Sequence, residues 1–390
     1  MQIELSTDQR KVLRKIWKWF VGKRHPFLTF GGYAGTGKTT MTALFRQALK
    51  QEFPEVKVAF CSYTGKAARV LEEILKNHHA QFPGDTTGTI HSLIYEPEKD
   101  EKGHILGWYP KDELKADLII VDEASMVNRK IWHDLLRFEK PILAVGDHGQ
   151  LPPVHGEFNL MENPNLRLEK IHRQARGNPI IELSEKVRSG KEIPYGDFGK
   201  VKKLRRESPE TGELVEEILS DYNEELLVLV GYNRTRVQLN NAIREMQYRK
   251  SREPQSGDRI ICLRNNHRKG IYNGMRGKIQ QIEPWRGDRG RTLWYFLEAE
   301  MDNGELYTGK VLKKQFNQEK TIQELPNLSF KEMGDLFDFG YALTVHKAQG
   351  SQARQVLLFE ERFRQMDDDD WFRWLYTAVT RAEEELVIVG

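Results

Sequence analysis

The stretch Gly32-Tyr33-Ala34-Gly35-Thr36-Gly37-Lys38-Thr39, followed by Thr40, constrains this chain more than any other. It fills every fixed position of the pattern GxxxxGK[ST], directly after the apolar run PFLTF (26–30). Glycines there let successive backbone N–H groups close around a phosphate at a helix N-terminus. In such a loop Lys38 reaches the β/γ-phosphates and the Thr39 hydroxyl binds Mg²⁺. An accidental glycine-rich turn does not account for a full match in that context. The loop needs a strand before it and a helix after it, so the chain should build an α/β sheet.

The remaining pattern agrees, alternating apolar strands with amphipathic helices as a parallel sheet covered on both faces requires. A helix is expected from about Asp8 to Val21, with Ser6 or Thr7 as its cap. Strands are expected at 26–32, 56–63, 116–124 and 141–147, each ending in a polar or glycine-rich turn. Open α/β sheets place ligands at such strand ends. The segment 96–110 reads as a β-hairpin inserted in this unit. A second α/β pattern starts at Glu224 and includes a helix from about Thr235 to Tyr248. Residues 252–335 then change to short strands with glycine turns, which reads as an inserted small β-barrel. The α/β pattern resumes with FDFGYALTVHKAQG, RQVLLFE and EELVIVG. The run DDDD (367–370) reads as a solvated loop ahead of a helix at Trp371–Val379. The expected division is 1–175 with a hairpin near 95–115, then 176–251 plus 336–390, with 252–335 inserted.

Composition excludes several classes. Among 390 residues no run of ~18 apolar residues exists, so no membrane-spanning helix is expected. The N-terminus lacks the apolar core of a signal peptide. Cys61 and Cys262 cannot form a disulfide scaffold or a four-cysteine metal site, and a cytosolic compartment is expected. Net charge is only +3, but residues 252–294 carry ten Lys/Arg against four Asp/Glu. Such a local excess suits a polyanion, and on charge alone equally suits a solvated basic face.

Two further features bear on phosphate chemistry. Asp122-Glu123 closes the apolar strand LIIVDE, where one carboxylate suits Mg²⁺ and the next suits positioning water. Phosphoryl transfer also needs cations against the developing charge, and Arg173 and Arg381 are candidates. Spacing alone reads both as ordinary surface arginines.

Eight motifs occur in order: GYAGTGKT (32–39), YTGKAARVL (63–71), TIHSL (89–93), VDEASM (121–126), VGDHGQLPPV (145–154), IHRQ (171–174), ALTVHKAQGSQ (342–352) and YTAVTRAEEELVIV (376–389). The series resembles that of superfamily 1 helicases. The VHKAQG and YTAVTRA forms resemble the RecD-like and phage Dda-like group, superfamily 1B. The resemblance implies two RecA-like P-loop domains, an inserted β-hairpin pin and an inserted SH3-like β-barrel. It implies an ATP- and Mg²⁺-dependent monomer moving 5′→3′ on single-stranded DNA, in a bacterial or phage-infected host cytoplasm. It further implies forked or tailed duplex DNA as partner, alongside single-stranded-DNA-binding or replication proteins.

By position, the resemblance makes Gln9 the adenine-reading residue, Asp122 a Mg²⁺ ligand and Glu123 the catalytic base. Gln150 would sense the γ-phosphate, and Arg173 and Arg381 would act as arginine fingers. Gly350 lies in the nucleotide-contacting turn. Thr64, Lys66, Thr89, His91, Thr344, His346 and Lys347 would meet the DNA backbone. Their hydroxyl, imidazole and ammonium groups suit phosphodiesters, which carry no sequence information. Asn233 and Arg234 are either contacts or turn residues. Ile105, Leu106 and Trp108 would form the wedge of the strand-separating pin, unless the hairpin packs on its own domain. His267, Arg268, Lys269, Tyr272 and Arg276 would hold DNA on the barrel, unless they are a solvated face. One departure is Gln352, where the family commonly has a glutamate near the ribose. The chain ends directly after its last motif, so a compact helicase core is expected. A translocase that unwinds poorly, a P-loop kinase or switch, and RNA as the track remain alternatives.

Overall fold

Short aliphatic runs with no polar face suit strands buried on both sides, and this chain uses them for two parallel sheets. A computed structural model describes residues 5–99, 105–152, 158–169, 177–249, 251–285, 293–326 and 332–390. In chain order the first unit contains α1 (Thr7–Gly22), β1 (Phe27–Gly32), α2 (Lys38–Glu52), β2 (Val58–Ser62), α3 (Gly65–Asn77), β3 (Thr86–Thr89) and α4 (Ile90–Ile94). The antiparallel pair β4 (Tyr95–Lys99) and β5 (Ile105–Pro110) follows. Then come β6 (Leu118–Asp122), α5 (Arg129–Leu136), β7 (Ile142–Gly146) and β8 (Leu166–Leu168). The sheet order is β3-β2-β6-β7-β1-β8, with every pairing parallel.

Strand alternation divides its core. Leu118 and Ile120 join Phe30, Phe45 and Phe60 on one face, while Ile119 and Val121 join Cys61 and Ile131 on the other. Helix starts follow local chemistry: Ser6 and Gln9 close a capping box, and Thr64, Thr89 and Asn128 cap α3, α4 and α5.

The second unit runs α6 (Pro179–Arg188), β9 (Gly196–Asp197), β10 (Val201–Leu204), α7 (Pro209–Ser220), β11 (Leu226–Val230) and α8 (Asn233–Met246). An antiparallel sheet intervenes: β12 (Arg259–Cys262), β13 (Arg276–Trp285), β14 (Trp294–Met301), β15 (Leu306–Leu312) and β16 (Phe337–Phe339). The unit ends with β17 (Ala342–Thr344), β18 (Ala353–Phe359), α9 (Asp368–Val379) and β19 (Ala382–Val389). Its sheet order is β17-β11-β18-β19-β10-β9, parallel apart from β9. The intervening order is β15-β14-β13-β12-β16, and an isolated bridge between Val311 and Asp335 brings its two edges together.

Two details differ from the sequence reading. FDF does not resume the α/β pattern: β16 pairs with β12, so the intervening sheet runs past residue 335 and the parallel sheet restarts at Ala342. Burial on both strands explains the switch, because one cluster joins Ile260, Phe337 and Phe339 to Leu226, Val228 and Leu357. Buried ion pairs Arg236–Asp338 (2.8 Å) and Arg244–Asp258 (3.0 Å) also tie α8 to this sheet. Nor is the aspartate run a loop. The Asp367 side chain accepts the Asp370 N–H as the cap of α9, and Asp368–Asp370 form its first turn. Carboxylates there face the positive end of the helix dipole. Among the described residues no helix is long and apolar enough to cross a membrane.

Candidate functional site

The glycine loop forms as expected between β1 and α2. Gly35 and Gly37 take φ of 73° and 82°, a region L side chains avoid, and Gly37 is the N-cap of α2. Lys38 Nζ donates to the Tyr33 carbonyl at 3.1 Å, and the Thr36 hydroxyl donates to the same oxygen at 2.7 Å. Gln9 Nε2 donates to the Thr36 carbonyl at 3.2 Å, while Gln9 Oε1 accepts the Ser6 N–H. Gln9 therefore braces the loop and caps α1 at once.

At the end of β6 the Asp122 carboxylate accepts the Glu123 N–H at 3.0 Å and is hydrogen-bonded by Thr39. Burial and the neighbouring Glu123 push the Asp122 carboxyl up to about 6, against the opposing pull of Lys38. Glu123 sits at φ 52°, and its buried Oε2 has no hydrogen-bond partner among the described residues. Arg381 is fully buried, and among the described residues it donates to neutral oxygens: Thr377 O (2.9 Å), Ser351 O (3.3 Å) and Thr380 Oγ1 (3.2 Å). Burial pulls its pKa down, and the carboxylates of Glu123 and Asp147 oppose that shift.

These groups share one cleft of about 380 Å³ between the two parallel sheets. Ala34, Gly35, Lys38, Thr39, Asp122, Glu123 and Gln150 line it from the first unit, and Gly350, Gln352 and Arg381 from the second. Gln9, Gly32, Thr36, Gly37 and Thr40 do not line the cleft, and Gln9 and Thr36 brace the loop. Arg173 lies outside the described residues.

The sequence reading passed over Asp147 and Tyr376. Asp147, 2% exposed, accepts the Gly149 N–H (2.9 Å), the Tyr376 hydroxyl (2.7 Å) and the Gln150 amide (3.5 Å). The Tyr376 oxygen in turn accepts the Ala34 N–H at 2.9 Å. Asp147 ends an apolar strand as Asp122 does, and that signal was available. Nothing local marks Tyr376.

A second cavity, about 250 Å³, opens at the strand ends between both parallel units and the antiparallel sheet. Thr64, Thr89, His91, Tyr272, Arg276, His346 and Lys347 line it. His91 stacks on Tyr272 with ring centroids 3.7 Å apart. Lys347 is pushed down to about 8 by burial and by Arg236, and burial also lowers His346. Gly350 lines both cavities, and its φ of 71° carries the chain between them. A Cβ there would strike the sulfur of Met126. The Thr64 hydroxyl donates to the Gly350 carbonyl at 3.3 Å.

The remaining expected contacts lie elsewhere, are paired internally or fall outside the described residues. Thr344 is buried at the end of β17, where its carbonyl starts the following turn, and it lines neither cavity. Lys66 starts α3, but its side chain lies outside the described residues. The same holds for Ile105, Leu106 and Trp108, whose backbone forms β5, and for the His267 side chain. Lys269 pairs with Asp335 (2.7 Å) and Arg276 with Asp302 (3.4 Å), so much of the basic face is neutralised internally. Arg268 is exposed. Asn233 and Arg234 open α8, exposed and away from both cavities.

A family model described as an AAA domain matches residues 4–206, and one described as a UvrD-like helicase C-terminal domain matches 339–389. The ATP-dependent RecD2 DNA helicase of Deinococcus radiodurans is 30% identical over 409 residues, covering 99% of this chain and 49% of its own length. The chain thus spans about half the length of that relative. The ATP-dependent DNA helicase dda of Enterobacteria phage T4 is 28% identical over 200 residues, covering 48% of this chain and 43% of its own. A Pif1 helicase from Bacteroides, solved with ADP-AlF3 and ssDNA, shares the fold at TM-score 0.52 and 18% identity, over 100% of this chain and 93% of that one. With motifs, fold and relatives in agreement, the chain belongs to the AAA-domain family and is similar to the superfamily 1B helicases of the RecD-like and Dda-like type.

Proposed function

We propose that this chain is an ATP-dependent DNA helicase that moves 5′→3′ along single strands and separates duplex at a pin. One observation carries the proposal. A cleft lined from both parallel units holds Lys38, Thr39, Asp122, Glu123, Gln150 and Arg381, and Gly350 connects it to a separate groove of hydroxyl, imidazole and ammonium groups.

The residues fit a Mg²⁺–nucleotide. The Thr39 hydroxyl and Asp122 carboxylate are two oxygens already in contact, and Glu123 holds a buried oxygen without a partner among the described residues. Mg²⁺ favours few carboxylates and keeps waters, so two protein ligands suffice. Held by Thr39 and Asp122, such an ion would supply positive charge against the phosphates. Lys38 would leave the Tyr33 carbonyl for phosphate. Glu123 would orient the attacking water and accept its proton. Gln150 would report the γ-phosphate. Arg381 would supply positive charge from the second unit, a contribution typically worth ~10³–10⁵ in rate. ATP would then hold the two units together, and hydrolysis would release them.

In this reading the β4/β5 pair is the pin, and the antiparallel sheet of β12–β16 is the SH3-like barrel. The closure of that sheet at Val311 and Asp335 supports it. The test is ATP hydrolysis without nucleic acid, with single-stranded DNA and with single-stranded RNA, followed by unwinding of duplexes bearing one 5′ or one 3′ tail. DNA stimulation and preference for the 5′ tail are expected. Hydrolysis indifferent to both polymers would overturn the proposal, and preference for the 3′ tail would overturn the polarity.

A further inference from the structure

The segment that carries Gln150 is held by the second parallel unit. Tyr376 on α9 donates to Asp147 Oδ2 at 2.7 Å. The adjacent Thr377 hydroxyl accepts the Leu151 N–H at 2.9 Å. Gln349, which lines the groove, donates its amide to the Leu151 carbonyl at 2.6 Å. Of these three, Tyr376 alone also touches the phosphate loop, through the Ala34 N–H at 2.9 Å. Its hydroxyl thus sits between the loop and the Asp147 carboxylate that orients Gln150. It lies on the element leading to Arg381, whose Nε donates to the Thr377 carbonyl.

We propose that Tyr376 is a positioning residue that couples nucleic-acid occupancy of the groove to hydrolysis. Its hydroxyl sets Gln150 through Asp147 and the phosphate loop through Ala34. The inference rests on the helicase reading above and names the contact through which the two units communicate there. Any rotation of the second unit against the first must move α9, and α9 cannot move without lengthening one of these bonds. Burial and Asp147 hold the phenol well above its ordinary range, so the hydroxyl keeps its proton and remains a donor. The ring also stands edge-on to Tyr33, with centroids 6.0 Å apart. Phenylalanine keeps this contact and removes only the oxygen.

The test uses the full chain and Tyr376→Phe. Equilibrium binding of a non-hydrolysable ATP analogue should stay within about twofold. The DNA-stimulated kcat should fall about tenfold, the scale of one net hydrogen bond, with KM for ATP little changed. Combined with Gln150→Ala, the two losses should be strongly non-additive, because Tyr376 acts through Asp147 on Gln150. Asp147→Asn probes the same link from the other side and should also lower the stimulated kcat. A melting curve accompanies each variant, and if Tyr376→Phe does not fold, the Asp147→Asn and Gln150→Ala pair decides. Additive losses, or a change in nucleotide affinity alone, would overturn the coupling role. Wild-type protein lacking any DNA stimulation would overturn the helicase reading itself, whereas stimulated wild type with an unaffected Tyr376→Phe would overturn only this inference.

Discussion

Lys347 shows how burial tunes a single side chain in the groove. An ammonium taken out of water beside Arg236 loses charge more readily, and Asp338 only partly offsets this, so it titrates at about 8. The cation is present below that value, and a phosphodiester would pull it back up, so DNA binding takes up a proton. Affinity for single-stranded DNA should therefore fall as pH rises from 7 to 9, approaching about tenfold per unit above the midpoint. Lys347→Arg should flatten that slope in a fluorescence-anisotropy titration, and an unchanged slope would exclude Lys347 as its source. His346, lowered by burial, meets the groove as a neutral imidazole at pH 7 and so offers a hydrogen bond. In the other cavity, Lys38→Ala and Glu123→Gln should fail differently. Losing the ammonium should weaken nucleotide binding. Replacing the base should leave ATP bound while hydrolysis falls ~10²–10⁴-fold in single-turnover assays. Equal losses of affinity would contradict both roles.

Among the described residues, the β4/β5 pair forms its own two-stranded sheet apart from the first parallel sheet. A two-stranded ribbon is marginal alone and needs support. Here β5 lies against the short turn at His267–Lys269 of the intervening sheet. A ribbon braced in this way suits a wedge at a fork. Leu106→Ala and Trp108→Ala should abolish unwinding of a forked duplex yet spare DNA-stimulated ATP hydrolysis. If neither activity changes, the ribbon is not the pin. Glycine turns and short apolar runs made this pair and the intervening strands visible in the sequence. They could not show that β16 would cross to β12, because FDF is equally apolar in either sheet. The aspartate run was misread for a similar reason: a capping carboxylate and a solvated one look alike until the helix start is known.

For the whole molecule, the nucleotide cleft exists only where two sheets face each other, so closing it should move one against the other. Cys61 and Cys262 are both buried, which leaves introduced surface thiols free for labelling. A donor and acceptor at Lys76→Cys on α3 and Glu384→Cys on β19 should report a distance change when an ATP analogue and Mg²⁺ are added. No change would mean a rigid pair of sheets and would argue against an ATP-driven motor. What the sequence alone determined was the local chemistry. The phosphate loop, the carboxylates ending β6, the capping residues and the alternation of apolar strands depend on neighbours a few positions apart. Backbone geometry makes such short-range requirements legible. Tertiary structure alone decided that Gly350 would serve both cavities, that Lys269 would be neutralised by Asp335, and that Tyr376 would clasp Asp147 and Ala34. The physical reason is distance along the chain. A hydroxyl 342 residues from its partner leaves no periodicity or spacing to read, and only the packing of two separately formed sheets brings the pair within a hydrogen bond.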